Sequence, residues 1–230
     1  MLKALGDAIW QVDGPELVFA GAPMHTRMIV VRLSGGGLWV HSPIAFSAEV
    51  HELVTELGGP VVALVAPNKF HHLYVQEWVA AHPDAQVFAE ARAQAKVAHL
   101  RSATTLTDQA PDAYCADIDQ VLFNGNRMFA EAVFFHKASH TLILTDLMIN
   151  LRVDRAPFLP RMFLRFEGVT FPDGGIPRLY RWLSTDRAQL RGALEKVNAW
   201  APQQLTFCHG DGFATSAQEV LQREFAWLAN

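Results

Sequence analysis

Residues 61–66, Val-Val-Ala-Leu-Val-Ala, constrain the fold more than any other part of the chain. A β-branched apolar run without alternation is a strand covered on both faces, and such a strand needs packed layers above and below it. It runs straight into Pro67-Asn68-Lys69-Phe70-His71-His72, a loop at the end of a buried strand. Strands at 9–12, 28–33 and 38–41 precede it, the last two joined as a hairpin through Gly35-Gly36-Gly37. Ser47 is placed to cap a helix that carries Val50, Leu53, Val54 and Leu57 on one face and stops at Gly58-Gly59-Pro60. Beyond the buried strand, the pattern predicts a helix over 72–81, a strand over 86–88 and an Ala-rich helix over 89–99.

The same alternation continues after a turn-rich acidic stretch at 102–120. Strands are expected at 121–123, 131–136 and 141–145, the last ending in Asp146. A helix from Ser184 or Thr185 to Trp200 and another from Ser216, with Glu219 completing a capping box, flank a strand at 205–208. Strands and helices alternating from end to end make a layered α/β domain, taken as one unit over 1–230. Half of the residues are hydrophobic and 18% are charged, enough for a large core and too apolar for a disordered segment.

Charge and cysteine content narrow the setting. The net charge of −4 excludes broad binding to nucleic acid or to acidic membranes, so any anion site is local. No apolar run approaches the roughly 18 residues of a membrane span, and Asp7 interrupts what a signal peptide would need. Two cysteines, Cys115 and Cys208, make no disulfide framework, which points to the cytoplasm. Residues 151–183 depart from the rest: four prolines, four phenylalanines and six arginines against three acids give them +3, leaving −7 elsewhere. They read as an irregular insertion that packs on the body or on a second copy in a homo-oligomer, or as a flap whose arginines meet an anionic ligand.

Ten histidines are present, and several fall just past the ends of strands, where α/β folds place reactive groups. These are His41, the pair His71 and His72, and His209 between Cys208 and Gly210, joined by the carboxylate of Asp146. Imidazoles and a carboxylate suit a divalent metal with an open position for water. His71 and His72 are adjacent, so on a helix start they point about 100° apart and one of them is a ligand or base while the other caps or packs. His41 reads as a buried partner of a backbone carbonyl, and His136 and His140 as exposed at the opposite end. Pro43 argues against a nucleophilic role for Ser42.

Taken together, Ser42-Pro43, the 67–72 loop, Ser139 to Asp146 and His209-Gly210 resemble the metallo-β-lactamase superfamily, in an uncharacterised branch with a degenerate metal motif. The resemblance spans nearly the whole chain and implies a four-layer αββα sandwich. It also implies that Pro67 and Lys69 replace two ligands of the first metal site, and that His71 replaces the second-site aspartate. What remains by resemblance is one divalent ion, zinc, iron or manganese, on His72, Asp146 and His209 with His71 as a fourth ligand; Glu131 stands near enough in sequence to assist. Two functions follow. In one, a mononuclear metal-dependent hydrolase acts on a small-molecule, anionic substrate with His71 or Lys69 assisting. In the other, the chain is a pseudoenzyme without metal, Lys69 fills the vacated site, and the crevice binds a ligand or partner.

Overall fold

The computed structural model describes residues 2–19 and 21–229. One sheet holds seven strands in sequence order: β1 (Leu2–Gly6), β2 (Ile9–Phe19), β3 (Ala22–Arg32), β4 (Leu38–His41), β5 (Val61–Ala66), β6 (Gln86–Ala89) and β7 (Thr104–Thr105). Neighbours are antiparallel as far as β4 and parallel from there on. The change follows from the connections. Tight turns link β1 to β4, whereas α1 (Ala48–Thr55), α2 (Val75–Ala81) and α3 (Ala91–Lys96) carry the chain back to start each later strand at the same end.

The second sheet has the order β11 (Gln204–Phe207), β10 (Thr141–Leu144), β9 (Glu131–His136), β8 (Ile118–Phe123). α4 (Phe158–Glu167), α5 (Arg178–Leu183) and α6 (Arg187–Ala199) lie between β10 and β11, which run parallel, and α7 (Ala217–Phe225) follows. Side-chain alternation fixes the layers. Trp39, Ala63, Val65 and Phe88 of the first sheet meet Ile118, Ala132, Phe134 and Ile143 of the second in one core. The opposite face of the first sheet, with Val30, Val40 and Leu64, takes Val54 of α1 and Trp78 of α2. That of the second, with Val133, Phe135 and Leu144, takes Leu190 and Val197 of α6 and Leu221 and Phe225 of α7. The fold is the α/β, four-layer αββα sandwich.

Several local expectations are corrected. The helix after the 67–72 loop begins at Val75, because His71 and His72 still belong to a turn. Ser216 does not cap α7 through its side chain: its φ of 62° is left-handed, whereas a capping serine is extended. His136 is at the far end of β9 as read, yet it is buried and hydrogen-bonded to Ser139. Residues 151–183 are not irregular throughout, since they hold α4 and α5. Leu164 of α4 packs with Ala22 and Met24 of β3 and with Ile149, Leu151 and Val153, fixing the segment against the first hairpin.

The two sheets are tied where the site forms. Ala132 donates from its amide to the Pro67 carbonyl at 2.9 Å, and Asn68 pairs with Glu131 as an isolated bridge. The ends of β4, β5, β10 and β11 converge there.

Candidate metal centre

Each strand end delivers one group. The loop after β5 presents His71, the end of β10 presents Asp146, and the end of β11 presents His209; one donor atom from each lies within 4.8 Å of the others. His71 Nε2 is 3.2 Å from Asp146 Oδ2, His209 Nε2 is 3.3 Å from Oδ1, and the two Nε2 atoms are 3.1 Å apart. The remaining ring nitrogens are occupied from behind. His209 Nδ1 donates to the His25 carbonyl at 2.9 Å, which leaves Nε2 as the nitrogen turned to the centre, a donor to Asp146 when the ring is protonated and a ligand atom when it is neutral. His71 Nδ1 pairs with Ser42 Oγ at 2.5 Å.

Asn68, completely buried, organises the centre. Its Oδ1 accepts from the amides of Phe70 and His71, the self-capping turn that asparagine favours, and so sets the direction in which His71 leaves the loop. Its Nδ2 donates to Asp146 Oδ2 at 3.0 Å and to Thr145 Oγ1 at 2.8 Å. Glu131, also fully buried, accepts from the amides of Thr145, Asp146 and Leu147 and holds the strand end that carries Asp146. With its oxygens so engaged it positions the ligand loop, and the expectation that it assists a metal gives way to that role.

Electrostatics agree with the geometry. Burial acts to raise the Asp146 carboxyl, but the imidazoles of His71 and His209 outweigh it and hold the group well below the usual carboxylate range. Burial acts to lower His209, and the contact with Asp146 outweighs it and raises the imidazole. Glu131 is raised by burial and by the neighbouring Asp146 charge.

Of the residues singled out in sequence, His71, Asp146 and His209 meet and His72 does not. The turn that brings His71 inward sends His72 toward His99, ring centroids 5.9 Å apart, as adjacent positions require. Lys69 also turns away: its Nζ donates to the Met128 carbonyl at 2.7 Å and lies over the Phe70 ring. Neither the catalytic role expected of Lys69 nor its expected filling of the vacated site matches that contact. His41 is buried against Trp39 with its Nδ1 3.9 Å from Cys208 Sγ, and not on a backbone carbonyl. Reading by residue type passed over Asn68, the Ser42 hydroxyl and the His25 carbonyl. Only Asn68, an asparagine directly after a proline at a strand end, carries a sequence signal for its role.

The centre is the floor of a cleft of about 630 Å³ walled by β2, the 69–74 loop, α4 and α5. None of the six arginines of 151–183 lines it. Arg152 pairs with Asp211, Arg155 with Glu16 and Arg181 with Glu224.

A family model described as a domain of unknown function, DUF4336, matches residues 6–162, more than half of the chain. The chain belongs to the DUF4336 family. No curated protein matches it. Among solved structures, this DUF4336 chain is similar to a metallo-β-lactamase from Pontibacter korlensis, with a TM-score of 0.67 at 13% identity over 100% of this chain and 99% of that one. A metallo-β-lactamase from Hirschia baltica gives 0.62 at 13%, covering 99% and 97%. The Flv1 flavodiiron core from Synechocystis sp. PCC6803 gives 0.66 at 11%, covering 100% of this chain and 60% of that one. At these identities the likeness is one of fold, and the fold is that of the metallo-β-lactamases.

Proposed function

We propose that this chain is a metal-dependent hydrolase with a single-ion centre held by His71, Asp146 and His209. The convergence of these three side chains within 4.8 Å carries the reading. Two imidazoles and a carboxylate fit zinc, and equally ferrous iron or manganese. A divalent ion bound there supplies Lewis acidity and lowers the pKa of a coordinated water.

The chain's own part is preorganisation. Ser42 and the His25 carbonyl fix the two rings, while Asn68 and Glu131 fix Asp146, so the donors need little rearrangement on binding. The apolar cleft above them leaves the polar groups of the centre at its floor, where the reacting group of a substrate would lie. Lys69 is held on Met128, and His71 is committed through Nε2 to the centre and through Nδ1 to Ser42, so neither is assigned the proton transfer.

Elemental analysis of the purified protein, with zinc, iron and manganese titrated by calorimetry, tests the reading. About one ion per chain is expected, lost in Asp146→Asn and His209→Ala. A protein that takes up no ion under these conditions overturns it. A metal-free ligand-binding protein is then the remaining reading, favoured by the way His71, Asp146 and His209 satisfy one another as a hydrogen-bonded group.

A further inference from the structure

The cleft above the centre is almost entirely apolar. Leu17, Met24, Ile44, Phe129, Ile149 and Phe163 are among its walls, and its volume is within the roughly 300–1,000 Å³ of small-molecule sites. Several of its polar residues are engaged with the protein: Arg27 holds Asp13 and the Phe207 carbonyl, Thr26 the Pro15 carbonyl, Asn126 the Tyr180 carbonyl, and Glu167 the Leu179 amide, whereas Tyr180 Oη and His72 Nδ1 are buried without a hydrogen-bond partner among the described residues. Around the mouth, Phe70, Leu73, Met128, Phe163 and Leu179 remain about half exposed. A contiguous apolar surface of this kind marks a binding site.

Next to it lies a second pocket of about 310 Å³ with the opposite chemistry, lined by Lys69, Arg92, Lys96 and Arg127. Two of these cations are built in. Arg92 Nη2 is fixed by Asn124 Oδ1 at 2.9 Å and by the Asn126 carbonyl at 3.0 Å, while its Nη1 is buried with no hydrogen-bond partner among the described residues. Lys69 is anchored on Met128. The neighbouring acid, Glu90, already accepts from the amides of Arg92 and Ala93. Burial and the charges of Lys96 and Arg92 push the Lys69 ammonium down, with the Glu90 charge opposing them in part. Lys69 and Met128 line both pockets, which places the two side by side.

We propose that the ligand of this chain is an amphiphile, an acyl or aromatic compound bearing a phosphate or carboxylate, with its apolar body in the cleft and its anionic group in the cationic pocket. An oxyanion there meets two guanidinium forks and two ammonium groups, which suit it geometrically as well as by charge. The substrate class rests on the hydrolase reading; the binding itself does not.

Calorimetric titration of the full chain with decyl phosphate, decanoate and decanol, each below its micellar concentration, separates the two contributions. The two anions are expected to bind at least about tenfold tighter than decanol at low salt. The advantage should shrink as ionic strength rises and fall several-fold in Lys96→Ala/Arg127→Ala, both exposed positions, with decanol unaffected. Each methylene removed should weaken all three about fourfold, and Phe163→Asp should weaken all three together. Equal binding of the anions and decanol, or indifference to the double substitution, overturns the proposal. So does failure of all three to bind; a dimer by sedimentation that Phe163→Asp dissolves would then make the rim a contact between copies. The titration is repeated in Asp146→Asn. Binding unchanged in Asp146→Asn shows that it does not depend on the centre; amphiphile binding by a parent protein that takes up no ion leaves this inference standing and removes the hydrolase, and metal uptake without amphiphile binding does the reverse.

Discussion

Ser42 shows how much of the centre depends on a residue that donates no ligand. Its φ of 53° is left-handed for a side chain that ordinarily avoids it, and the conformation places Oγ 2.5 Å from His71 Nδ1. Ser42→Ala frees the ring to rotate, and metal affinity should fall about 10–100-fold, measured by competition with a chromophoric chelator, while the far-ultraviolet circular dichroism stays as in the parent. Asn68→Asp is a harsher change of the same size. It keeps the acceptor for the Phe70 and His71 amides but replaces the donor facing Asp146 and Glu131 with a carboxylate. Three acids would then crowd one buried space, so the melting temperature should drop by several degrees and recover partly at low pH, where one of them protonates.

At the scale of elements, the loop after β11 is shaped by close approach. Gly210 has φ of 88°, and a Cβ there would collide with the carbonyl oxygen of Asn150. Gly36, with φ of 84°, has open space around the same position. Gly36→Ala therefore costs only the left-handed strain, about 1 kcal/mol, whereas Gly210→Ala should cost at least about 2–3 kcal/mol and displace His209; urea denaturation of the two variants reads the difference. Elements of this sort were legible in the sequence where a local signal existed. The run at 61–66, the Ser47 cap, whose Oγ accepts from Val50, and the strand at 131–136 all appear as the pattern implies. β1 and β7 carried no such signal, because edge strands bury little and show no strong periodicity. The choice between His71 and His72 was equally illegible, being made by the amide of Asn68 through a turn whose direction no spacing rule contains.

Across the whole molecule, alternation implied a layered α/β domain with reactive groups past its strand ends, the two-sheet, four-layer arrangement came from the family resemblance, and the residues behind the centre came from neither, since they are remote in sequence. Buried imidazoles also set the response to acid. Burial lowers His136, with the Asp117 and Asp7 carboxylates opposing it. The unfolded chain then takes up a proton below about pH 6.5 that the folded state refuses, so the stability that neutral His136 contributes is present above that pH and lost as pH falls. His136→Asn should accordingly be most destabilising near pH 7.5 and least near pH 5.5, read as the gap between the two melting temperatures. The centre itself is a long-range object: His209 rests on the carbonyl of His25, 184 positions earlier, and faces His71, 138 positions earlier. During synthesis, no partial chain that stops short of residue 209 owns the complete donor set, so under the proposed function a nascent polypeptide cannot commit itself to whichever ion it meets first, and the choice of ion is deferred to the finished fold.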